Sequence, residues 1–131
     1  MSSFTDYTEN LVLTFLFTDG TATRPTAWYV GLFTAAPGET GGGTEVSGNG
    51  YDRKVTGTIT VSGTATTATN SAAIEFDPAD GGDWGTITHA AIFDAETGGN
   101  MLAYAELTTA RTINDGDVFR IPASSLTITL T

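Results

Sequence analysis

The chain has 131 residues, the size of one domain, carries no cysteine, and sets 15 acidic against 5 basic residues for a formal net charge of -10. Structural disulfides and thiolate metal sites are excluded. Arg24, Arg53, Lys54, Arg111 and Arg120 are too few and too scattered to neutralise a duplex phosphate backbone or to hold an anionic membrane surface, so neither nucleic acid nor membrane is an expected partner.

The opening MSSFTDYTEN has neither the basic nor the apolar region of a secretory signal. No segment approaches the ~20 apolar residues of a membrane helix, so a soluble protein made and assembled in the cytoplasm is expected. Phe4, Tyr7, Leu11, Phe15 and Leu16 recur at helical spacing, and Ser3 or Thr5 offers an N-cap ahead of Asp6 and Glu9 in the first turn. The spacing predicts one helix over 5–17, ended by the turn at Gly20.

From residue 26 the period changes from 3.6 to 2. TAWYVGLFT (26–34) reads as a strand buried on both faces. In DRKVTGTITVSG, Val55, Gly57, Ile59 and Val61 alternate with threonines and predict one strand with an apolar inner face. TATTATNS (64–71) reads as an edge strand or loop, and AAIEF (72–76) as a short strand. WGTITHAAIFDA (84–95) and NMLAYAEL (100–107) flank ETGGN as a hairpin. DVFRI (117–121) follows the turn NDGD. SLTITLT closes the chain with Leu126, Ile128 and Leu130 inward and Thr127, Thr129 and Thr131 outward.

About seven short strands after one helix predict a mainly β protein, an antiparallel β-sandwich of jelly-roll type. It is read as one domain over 1–131, with the helix and its lead-in over 1–20 and the sandwich over 26–131. A glycine-rich loop spans 38–50.

Little in the sequence points to catalysis. The loop GETGGGTEVSGNGYDR lacks the GK[ST] of a phosphate loop, and Val46 stands where a dinucleotide fingerprint needs its third glycine. Its glycines read as positive-φ turn formers, and no cofactor is expected. His89, the lone histidine, lies on a strand face with Ile87, Ala91 and Phe93 and reads as a packed, hydrogen-bonded residue. No GxSxG elbow accompanies it. Asp77, Asp80 and Asp83, and the pair Asp115 and Asp117, read as Asx turns joining strands. Ca²⁺ held by these turns is the competing reading. Trp28 and Trp84 sit at strand starts as core or interface anchors. Two carboxylates converging in a cleft beside Trp or Tyr would instead signal a carbohydrate-active enzyme.

FTDYTENLVL, GTEVSGNGY, WGTITHAAIFDA, GGNMLAYAEL and INDGDVFRIPASSLTITL together resemble a family of small tailed-bacteriophage virion proteins often labelled phage tail fibre protein. The resemblance covers nearly the whole chain and brings no catalytic residues. It implies a non-enzymatic structural protein of the virion whose partners are other virion proteins, the major capsid protein or tail proteins. Self-association, as a trimer, is implied as well. Fibre shafts need repeats, heptads or a collagen-like rod, and the sequence has none. Capsid decoration, in which a cement protein bridges coat subunits, is therefore the first expectation, and a tail fibre or adhesin component that binds a receptor or glycan is the second. The helix and the loop are the elements a sandwich does not need for closure. They give the expected interface residues Tyr7, Leu11, Gly41, Gly42, Gly43, Thr44, Glu45 and Val46.

Overall fold

The computed structural model describes residues 2–61, 63, 64 and 66–130. Ser62 and Ala65, in segments read above as strand or loop, and Thr131, read as outward-facing, lie outside them. The chain is mainly β, with antiparallel sheets and one short helix near its N-terminus.

After β1 (Ser2–Phe4), Thr5 takes an extended conformation and its hydroxyl accepts the Thr8 N–H, capping α1 (Asp6–Phe17). Asp6 and Glu9 lie in the first turn. The helix ends at Phe17, as expected, and the backbone turns extended at Thr18, ahead of the turn that reaches Gly20. It buries none of its own residues, and its N-terminal end ties it down. The Thr5 hydroxyl donates to the Met101 carbonyl at 2.6 Å, the Thr8 hydroxyl to Leu102 O at 2.7 Å, and the Asp6 N–H to Glu39 O at 2.9 Å.

A six-stranded sheet forms the centre. It contains β1, β2 (Tyr29–Ala35), β3 (Thr44–Glu45), β4 (Lys54–Val55), β8 (Gly85–Phe93) and β9 (Met101–Ile113) in the order β1-β9-β8-β2, with β3 and β4 in succession along the outer edge of β2. Two small sheets accompany it. One joins β5 (Ile59–Val61), β6 (Thr67–Asn70) and β11 (Thr127–Thr129) in the order β11-β6-β5. The other pairs β7 (Ile74–Glu75) with β10 (Arg120–Ile121). Val30, Leu32, Ile87 and Ala90 of the large sheet pack with Ile74, Phe76 and Phe119 into the main core, against which Ile121 and Leu126 also lie. On the opposite face Phe33, Ala91, Phe93 and Met101 form a smaller cluster.

Four features depart from the sequence expectations. The expected strand through Val55 and Val61 is broken at Gly57, whose φ is +67°, and its halves join different sheets with both valines exposed. β6, read as an edge or loop, is the central strand of its sheet. Between β8 and β9 a wide bulge sets Thr88 opposite the four residues 107–110, because Ile87 pairs Arg111 while His89 pairs Glu106. Ile87 therefore joins the main core, not the face that holds Ala91 and Phe93. Leu130, expected inward, is exposed.

Candidate functional site: the cleft between helix and glycine loop

The glycine loop is built from tight turns. Gly38 and Gly41 exchange both backbone hydrogen bonds, at 2.8 and 2.9 Å. Gly41, Gly42 and Gly43 all have φ between +75° and +91°. A Cβ on Gly43 would lie 2.7 Å from Ala35 O, so no other residue fits there. Farther along, the Tyr51 N–H donates to Gly48 O at 3.0 Å across Asn49 and Gly50, whose φ values of 53° and 77° are those of a type I′ turn.

Between these turns runs β3, and it anchors a charged cluster. Arg53 Nε and Nη2 donate to the two Glu45 carboxylate oxygens at 2.8 and 2.9 Å, a bidentate pair with the side chains 9% and 24% exposed. Arg53 Nη1 donates to the carbonyls of Ala95 and Gly98 at 3.0 and 2.8 Å, and the guanidinium lies 3.4 Å from the Phe93 ring centroid. The Tyr51 hydroxyl donates to Glu45 Oε2 at 2.7 Å and accepts the Leu32 N–H at 2.9 Å. Burial pushes the Tyr51 phenol well above its ordinary range. The Leu32 N–H opposes this, and the Glu45 carboxylate adds to it.

This cluster forms one wall of a cavity of about 430 Å³ where the loop meets the start of α1. Phe33, Phe93 and Met101 supply its apolar lining. Asp6, Glu39, Glu45 and Arg53 are its charged lining residues. Of the residues expected to meet a neighbour, Tyr7, Gly41, Gly42, Gly43 and Glu45 line this cavity together. Leu11 lies a turn farther along the helix and is half-buried, and Thr44 is exposed on β3. Val46 is a core residue packed near Leu32 and faces no free surface. Arg53, Phe93 and Asn100 line it too and were not among the expected interface residues. Only the pairing of β2 with β3, β4 and β8 brings them beside the loop.

The other candidates have structural partners. His89 is half-buried, with Nδ1 2.8 Å from the Thr88 hydroxyl and Nε2 4.0 Å from Glu106. Asp83, Asp115 and Asp117 accept the backbone N–H groups of Asp115, Gly81 and Asn114. Among the described residues no group of three or more His, Cys, Asp or Glu is arranged to hold a metal ion. Trp84 is in the core, donating to Asn49 O at 2.9 Å, whereas Trp28 is partly exposed.

No curated protein matches the chain. Residues 3–129 match the family described as Podophage GP4 fiber I protein gp80. Nothing in the turn-built loop or the paired charges conflicts with a structural role. With nearly every residue inside that match, the chain belongs to the podophage GP4 fiber I protein gp80 family, a family of tailed-phage fibre proteins of the virion.

Proposed function

We propose that the chain is a non-enzymatic subunit of a fibre-type appendage of the virion and that α1 fastens it to neighbouring virion subunits. The location of the apolar surface supports this. Leu13, Phe15, Leu16 and Phe17 are 57%, 70%, 59% and 76% exposed. They cluster in the last two turns of a helix that carries no charge from Asn10 to Thr18. Leu13, Leu16 and Phe17 stand at i, i+3 and i+4, one continuous stripe of the kind that packs against another element. A cement protein would show such surface around the rim of its body. Here the two most exposed large apolar side chains, Phe15 and Phe17, share one element with Leu13 and Leu16, as an anchored appendage requires, whereas Trp28, Val55, Val61, Val118 and Leu130 are exposed elsewhere on the body.

Capsid decoration is the second reading, favoured by a small acidic body without shaft repeats. Quantitative mass spectrometry of purified particles separates the two. A handful of copies per particle, in multiples of three or six, is expected. Hundreds, near the number of coat subunits, would replace the fibre reading with decoration. Replacing Phe15 and Phe17 by serine should abolish incorporation, and normal incorporation of that variant would remove α1 from the role.

A further inference from the structure

The cavity between α1 and the glycine loop has more carboxylates than it can use. Glu45 is neutralised by Arg53. Asp6 and Glu39 also line it, and neither carboxylate has a hydrogen-bond or ion-pair partner among the described residues. The positive end of the α1 dipole offsets roughly half a charge near Asp6. A negative balance remains over an apolar lining of Phe33, Phe93 and Met101. The lining disfavours a stacked sugar, because Arg53 covers one face of Phe93 and Phe33 stacks near it at 6.1 Å. An anionic group is repelled. An alkyl chain ending in a cation fits both halves of the cavity, its methylenes on the apolar lining and its charge at Asp6 and Glu39. At about 430 Å³ the volume is ample for one such side chain. Tyr7 of α1 is part of the same wall, so the cavity is continuous with the helix that carries the exposed apolar stripe.

We propose that this cavity is a socket for a lysine or arginine side chain of the virion protein on which α1 docks. The inference rests on the attachment reading above and adds the chemistry of the partner: an apolar surface with a basic residue at its border. Both elements of the socket are set by the fold. Gly43 keeps the loop pressed to the sheet, and the Asp6 N–H bond to Glu39 O joins the two backbone segments that carry the free acids, both of them exposed.

The test is an NMR titration of the intact, isotope-labelled chain with N-acetyl-arginine methylamide and N-acetyl-lysine methylamide. The neutral isostere N-acetyl-citrulline methylamide and the polyamine spermidine serve as comparisons. The cationic amino-acid probes should shift the amides of Tyr7, Gly41, Gly42 and Asn100, bind severalfold more tightly than citrulline, and weaken as salt is raised. Glu39→Gln, and Glu39→Gln with Asp6→Asn, should remove the difference between arginine and citrulline, whereas Glu75→Gln on the distant β7 should not. Equal shifts from arginine and citrulline, shifts spread over the acidic surface, or binding of spermidine alone would each overturn the socket. Because the readout needs no particle, its failure is distinct from failure of the attachment reading, which the copy number tests separately.

Discussion

Among single residues, Arg53 is the most tightly held charge in the chain, with both carboxylate oxygens of Glu45, two carbonyls and an aromatic face as partners. Removing it strands a mostly buried carboxylate. Arg53→Met is expected to cost about 3–5 kcal/mol, read as a lower denaturant midpoint. Adding Glu45→Gln should restore part of the loss, because the stranded charge is then gone. Tyr51 makes stability depend on alkaline pH. Its phenol is favoured in the protonated form by burial, so its folded pKa lies above the ordinary 10.0. That contribution is complete below pH 10 and falls as pH rises through the unfolded value toward the folded one. Tyr51→Phe should therefore flatten the decline of melting temperature above pH 10, and an unchanged decline would mean that other groups control it. None of this was legible in the sequence. Glu45 could be named as a loop acid, but the pairing depends on β3 and β4 lying one after the other on β2, which no local pattern encodes.

At the scale of elements, α1 was the most legible part, because cap, acidic first turn and spacing agreed, and Thr5 and Phe17 bound it as expected. Less foreseeable was that its apolar residues would stay outside. A helical period identifies a face but does not say which molecule covers it. Phe15→Ser with Phe17→Ser should change the unfolding free energy by less than about 0.5 kcal/mol and should lower any self-association seen by sedimentation. A large loss of stability would mean that the helix is an internal support. Strand assignments were secure where β-branched runs were long, as in β2 and β8. They failed where threonine and glycine alternate, since Gly57 at positive φ ends one strand and starts another without altering the pattern. The central place of β6 depends on partners about 10 residues before it and about 60 after it, a pairing set by packing rather than propensity.

For the whole molecule, a glycine loop that the sandwich does not need for closure implies that deleting 40–49 leaves the fold intact. The structure reverses that expectation. The segment contains β3, the core residue Val46, the ion-pairing Glu45, and the Asn49 carbonyl that accepts from Trp84 and Asp80. The deletion should leave an unfolded or molten chain by circular dichroism and near-ultraviolet signal, so its loss from particles would say nothing about the interface. Surface changes at Asp6, Glu39, Phe15 and Phe17 are the informative ones. The connections of α1 also determine how the molecule bears tension. If the helix is gripped, a pull on the body enters through β1 on one side and through residues 18–28 into β2 on the other. β2 is bonded along both edges, to β8 and to β3 and β4, so the load carried by residues 18–28 spreads into the middle of the largest sheet, whereas β1 is a three-residue rim strand paired, among the described residues, with β9 alone. An appendage dragged through liquid would then peel β1 before it disturbs the rest of its fold.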